Sequence, residues 1–141
     1  MRALSLRQPW ASIVLFHGKR IENRRWWTSF RGPFLIHAAK AMTRREFDEA
    51  YVCAQHVLGD KCPTERELRD QLKFGGIVGR ANLVSVVPPL RSLALPIDLG
   101  DVYHGVDPRW HFPDQHGFVL TDVEPLPFKE CTGHLSFFEV A

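Results

Sequence analysis

No apolar run in this sequence approaches the roughly 20 residues a helix needs to cross a bilayer. The opening MRALSLRQPW also lacks the apolar core and small-residue cleavage site of a secretory leader. These two gaps predict a soluble, cytoplasmic protein with no membrane partner. Cysteine is scarce: Cys53, Cys62 and Cys131 are odd in number and form no CxxC, which argues against a disulfide framework and a zinc ribbon. No GKS or GKT follows the pair Gly75 and Gly76, so a phosphate-cradling glycine loop is not expected. His104, His111 and His116 stand seven and five residues apart, which matches no zinc-ligand pattern, and neither a metal nor a cofactor is expected. Internal repeats and low-complexity tracts are missing too, which leaves one domain over residues 1–141.

What is present is enough to bury a core: 141 residues, 45% of them apolar, with ten Phe, four Trp and two Tyr. Acidic residues are nearly absent from the first 45 positions, which hold ten Lys and Arg and a single acid, Glu22. The remaining 96 positions hold eight Lys and Arg against fifteen acids, so the modest formal net charge of +2 hides a strong asymmetry. Such a distribution points to a polyanionic partner for the N-terminal part, unless folding interleaves the two parts and averages the field.

Periodicity places the elements. Leu4 and Leu6 alternate with polar neighbours as in a short strand; Pro9 then opens a helix whose stripe is Trp10, Ile13, Val14 and Phe16 or His17, ended by Gly18. Residues 20–26 alternate as a strand with Glu22, Arg24 and Trp26 on one side, and the turn Arg31-Gly32-Pro33 leads into a second strand over residues 34–39. Thr43 and Glu46 form a capping box for a helix over residues 43–58, and a shorter charged helix is expected from Thr64 to about Phe74. Residues 77–87 read as a central strand stopped by Pro88 and Pro89, residues 90–115 as a long loop, and residues 118–123 and 135–140 as two more strands. This order has no βαβ rhythm and favours an α+β barrel over a doubly wound sheet.

The richest segment is SLRQPWASIVLFHGKRIENRRWWTSFR, residues 5–31. Glu22 and Arg24, two apart on a strand, share a face and can pair, and the ammonium of Lys19 can approach from the preceding turn. In such a mixed-charge cleft Lys19, Arg24, Arg25 and Arg31 would meet phosphate, Gln8 and Glu22 a base edge, and Trp10 or Trp26 a base face. A surface salt bridge beside two core tryptophans is the plainer alternative. Trp26 and Trp27 are turned by alternation to opposite faces, so one of them is expected in the cleft or exposed. His37, between Ile36 and Ala38, is either a hydrogen-bonded structural residue or a proton-handling one.

The strings QPWAS, GKRIENRRW, RGPFLIHAAK and GGIVGRANLVSV resemble, in this order, the ASCH (activating signal cointegrator homology) domain, a branch of the PUA-like superfold. The resemblance runs from about Ala3 to Val87, with a weaker echo at GHLSFFEV. The family's GxKxxExR pattern falls on Lys19, Glu22 and Arg24, with His17 where the glycine would stand. The resemblance implies a small mixed β-barrel with flanking helices, used for nucleic acid, RNA first, or for a nucleoside-like small molecule. It also implies an alternative, because some small members are amidohydrolases on acylated nucleosides such as N4-acetylcytidine and others are proposed to cut RNA. In that enzyme reading Lys19 is the activated group and Glu22 or His37 handles protons, although the amidohydrolases resemble this chain in the lysine and carry a threonine where Glu22 stands. A protein-interaction domain with an acidic helical half is the third reading.

Overall fold

The computed structural model describes residues 1–93 and 102–141. Nine regular elements follow in chain order: β1 (Arg2–Leu6), α1 (Trp10–Phe16), β2 (Ile21–Arg24), β3 (Gly32–Ala38), α2 (Arg44–Leu58), α3 (Glu65–Asp70), β4 (Gly76–Val87), β5 (His116–Glu130) and β6 (Phe137–Glu139). The six strands form one sheet in the order β2-β5-β4-β3-β1-β6, antiparallel except where β1 runs parallel to β3. Register shifts along β4 and β5, between Ile77 and Gly79, Arg80 and Asn82, and Leu83 and Ser85, help a long strand pair to bend. The sheet curls into a half-barrel, which with three helices is the α+β barrel the sequence predicts.

Side chains join the margins of the curl. β6 pairs only with Arg2 to Leu4, so from Ser5 onward β1 is itself an edge. Arg24, at the end of the opposite edge strand β2, donates from Nη1 to the Ser5 carbonyl at 3.1 Å. Beside it the Trp26 ring meets Phe137 of β6 edge to face at 6.0 Å and Phe118 of β5 at 5.3 Å. An arginine and a tryptophan from the signature segment thus bridge the seam.

Helix α1 lies between two packed clusters. Its Ala11, Val14 and Leu15 pack with Leu4, Leu6, Phe34, Ile36 and Phe118 inside the curl. Its Ile13 faces a second cluster in which α2 contributes Phe47, Ala50, Ala54 and Val57, α3 contributes Leu68, and the chain before β5 contributes Tyr103 and Trp110. Gly79 of β4 allows this seat: a Cβ there would collide with the Leu15 side chain and the Glu124 carbonyl.

Three elements differ from expectation. Helix α3 stops at Asp70, short of Phe74, because tertiary hydrogen bonds take over: Ser12 Oγ donates to the Gln71 carbonyl at 3.3 Å and Gln8 Nε2 to the Lys73 carbonyl at 2.9 Å. Strand β5 runs through Pro125 and Pro127 to Glu130, since beyond Val119 no strand among the described residues pairs with its other side. The stretch 90–115, expected as a loop, contains two short 3-10 turns, Leu90–Ser92 and Pro108–Trp110, and supplies the buried Trp110; its residues 94–101 lie outside the described residues. Among the described residues no helix is long and apolar enough to cross a membrane.

Candidate functional site

The site grows from the end of α1. His17 closes the helix by donating to the Ile13 carbonyl, and Gly18 at φ +75° turns the chain so that Lys19 doubles back under it. Lys19 is only 1% exposed. Its ammonium donates to the Ile21 carbonyl and to Glu22 Oε1 at 3.2 Å, and it lies 4.9 Å from the centre of the Trp10 ring. The other Glu22 oxygen accepts from Arg24 Nη1 at 3.4 Å, and the Arg24 guanidinium sits 5.4 Å from the Trp26 ring centre. Glu22, 6% exposed, is therefore a buried carboxylate held between two cations, each resting on a tryptophan.

This triad forms one wall of an open cleft of about 370 Å³. Trp10, Trp26 and Phe112 give it aromatic walls, and Asn23 and Gln115 add amides. Four cations, Arg7, Lys19, Arg24 and Arg25, line it against one carboxylate, Glu22, so the cleft favours an anionic ligand. The cations are not equivalent. Lys19 spends two of its three donors on hydrogen bonds, and the Trp10 ring lies 4.9 Å from its ammonium. Arg7 clasps Glu46, the capping residue of α2, through Nε at 2.7 Å and Nη2 at 2.6 Å. Arg25 is exposed and has no carboxylate partner among the described residues.

The Arg7 clasp holds the Glu46 carboxyl down at about 2, from an ordinary 4.5. A depressed carboxylate stabilises the fold above its unfolded value, and that stabilisation disappears as pH falls from about 4.5 through about 2. Both side chains are part exposed, so screening limits the effect to about 1 kcal/mol. Wild type should accordingly lose more stability than Glu46→Gln across this window in urea denaturation, the two curves converging near pH 2. Parallel curves would show that the clasp adds nothing to folding.

The structure brings together Trp10, Lys19, Glu22, Arg24, Arg25 and Trp26 around the cleft. It places three other expected site residues elsewhere. Gln8 is buried with both ends engaged, Oε1 accepting from the Ser12 amide at 3.0 Å and Nε2 reaching Lys73, so it braces α1 and offers a ligand nothing. Arg31 donates to the carbonyls of Thr28 and Phe30 at 2.8 and 2.7 Å and does not line the cleft. His37 faces a different cavity. Strand β2 stops at Arg24, short of the expected Trp26, so strand alternation does not set these two rings; Trp27 is nevertheless 59% exposed while Trp26 lines the cleft.

Arg7, Asn23, Phe112 and Gln115 are cleft residues that sequence reasoning missed. Asn23 Nδ2 donates to the Trp110 carbonyl at 2.9 Å and its Oδ1 accepts from the Phe112 amide at 2.8 Å, which fixes the Phe112 ring edge-on to Trp10 at 5.9 Å. An asparagine next to the charged triplet was the available signal; the loop residues carried none.

The two other histidines of this region differ: His116 Nδ1 is buried without a hydrogen-bond partner among the described residues, whereas His111 is satisfied internally. His111 Nδ1 is 2.6 Å from the Tyr103 hydroxyl and its Nε2 2.7 Å from the Gln115 carbonyl, and burial pushes its pKa down. Among the described residues no three His, Cys, Asp or Glu side chains are grouped to hold a metal ion.

Residues 4–127, most of the chain, match the family model of the ASCH domain. The match extends beyond β4 into β5, past the strings that carry the resemblance in the sequence. No curated protein matches the chain.

Proposed function

This chain belongs to the ASCH domain family, with its PUA-like fold, and from that premise we propose that it binds RNA or another single-stranded nucleic acid in the cleft beside Lys19, Glu22 and Arg24. The family is associated with nucleic-acid binding or with hydrolase activity. The observation that favours binding here is the state of Lys19, which is 1% exposed with its ammonium bonded to the Ile21 carbonyl and Glu22 and lying beside the Trp10 ring. A lysine acting as nucleophile or base needs a free, neutral amine aimed at substrate. This lysine instead fixes Glu22 and Trp10 in place. With the triad rigid, the groups left for a ligand are the faces of Trp10 and Trp26 for a base, the amide of Gln115 for its edge, and the guanidinium of Arg25 for phosphate.

The test is fluorescence anisotropy with a short labelled single-stranded RNA. The one phosphate contact at Arg25 should lower affinity roughly 2.5-fold between 50 and 200 mM salt, because it releases condensed counterions. Binding that is absent at low salt, or unchanged by salt, would remove the electrostatic basis of the proposal.

A further inference from the structure

A second cavity, of about 1030 Å³, shares no lining residue with the cleft. At its floor stand Ser5 and His37, direct partners in the parallel register of β1 and β3 and therefore on one face of the sheet. Ser5 Oγ lies 2.9 Å from His37 Nδ1, and His37 Nε2 lies 2.7 Å from the Cys131 carbonyl oxygen. A carbonyl only accepts, so Nε2 carries the ring hydrogen, Nδ1 is bare, and the Ser5 hydroxyl donates to it. The ring cannot turn. It is 2% exposed, packs edge-on to Phe138 at 5.7 Å, and backs onto Gly133 so closely that a Cβ there would come within 2.6 Å of Cε1.

This is a nucleophile, a base and a group orienting the base, in that order, with the nucleophile opening on a cavity. Anchoring the chain after β5 requires only the bond from His37 to Cys131; it gives no reason for a hydroxyl on the other nitrogen. The wall holds further useful groups. The amides of Thr132 and Gly133 donate to nothing among the described residues, and the Lys40 side chain lines the same space. Phe74, Phe128 and Leu135, all exposed and the last by 94%, give the cavity an apolar rim.

We propose that Ser5 is a second functional centre of this protein, a nucleophile activated by His37 that cleaves small esters bearing an apolar acyl group. Ser5 Oγ bonds to the ester carbonyl carbon while its proton passes to His37 Nδ1. The bond to the leaving oxygen then breaks, and that oxygen takes the proton from Nδ1. Water, giving a proton to Nδ1, attacks the acyl-serine, the Ser5 Oγ bond breaks, and the proton returns to Oγ. Net, one ester and one water become an acid and an alcohol. This inference is independent of the cleft and of nucleic-acid binding.

The experiment treats the full chain with an alkyl fluorophosphonate, in which the Ser5 Oγ–P bond forms, the P–F bond breaks and the proton leaves with fluoride. Intact mass and peptide mapping should find one adduct, on Ser5. Ser5→Ala should carry none, and His37→Gln should be labelled about 100-fold more slowly, the usual worth of a positioned base. Hydrolysis of p-nitrophenyl butyrate should fall in the same two variants, with circular dichroism confirming that each is folded. A folded wild type left unlabelled at Ser5 would overturn the proposal whatever the variants do, as would a labelling rate that His37→Gln does not change.

Discussion

Replacing Lys19 by alanine should lower the unfolding free energy by about 3 kcal/mol, near the lower end of what breaking a buried ion pair costs. Lys19 is among the largest fully buried side chains, so the substitution leaves an empty stem and leaves Glu22 with a single cation, Arg24 at 3.4 Å. That remaining partner holds the loss at the lower end. Lys19→Met restores the volume without the charge, so the part of the loss it fails to recover measures the electrostatic contribution. Urea denaturation of the three proteins gives both numbers, and a loss below about 1 kcal/mol for Lys19→Ala would reduce the triad to an ordinary surface pair. Binding separates the cations further. Lys19→Ala should weaken an oligonucleotide without changing the salt slope, since its ammonium faces Glu22 and Trp10 and not the ligand. Arg25→Ala should leave stability unchanged and lower the slope by about 0.7, one phosphate contact to a single strand. Identical slopes in wild type and Arg25→Ala would remove Arg25 from the interface.

The same burial alters what Glu22→Gln is expected to do. If Glu22 did no more than orient Arg24 and Lys19 in a ligand cleft, Glu22→Gln would leave the fold intact. In the structure the amide would strand a lysine that is 1% exposed, so a loss of stability must accompany any loss of affinity. Arg24 links the two consequences, because the guanidinium that meets Glu22 also bridges the sheet margin at the Ser5 carbonyl.

Features with a local cause were legible. The capping box of α2 is a four-residue pattern, and both its hydrogen bonds form, Glu46 amide to Thr43 Oγ1 at 3.1 Å and Thr43 amide to Glu46 Oε1 at 2.9 Å. The grouping of Lys19, Glu22 and Arg24 follows from a glycine turn and strand alternation, again within six residues. Features decided across the chain were not legible. The positive excess of the first 45 residues is partly neutralised by acids distant in sequence, with Arg2 meeting Glu139 at 3.8 Å beside the clasp of Arg7 on Glu46. Gln8 looked like a ligand group because it adjoins Trp10, yet its partner carbonyl is 65 residues away. His37 carried only the open choice between a structural and a proton-handling role, and the parallel pairing of β1 with β3 places it beside Ser5, a relation no local pattern encodes.

Trp110 shows the furthest reach of this kind. It falls in a stretch whose irregular spacing predicts a loop, yet it is the largest fully buried side chain, packed in the cluster under α2 with Ile21, Phe47 and Val119. Trp110→Ala should therefore cost about 3–5 kcal/mol, the range for emptying an aromatic site in a core. Its effect should reach the cleft as well, because the Trp110 carbonyl and the Phe112 amide are both held by Asn23, and Phe112 in turn abuts Trp10. Oligonucleotide affinity should fall in Trp110→Ala at temperatures where the variant is still folded. Phe112→Ala should reproduce the loss of affinity with a much smaller loss of stability, since it removes the ring at the cleft and leaves Trp110 seated. If Trp110→Ala binds as wild type does while showing the full loss of stability, the chain before β5 serves the core alone and Phe112 does not belong to the binding surface.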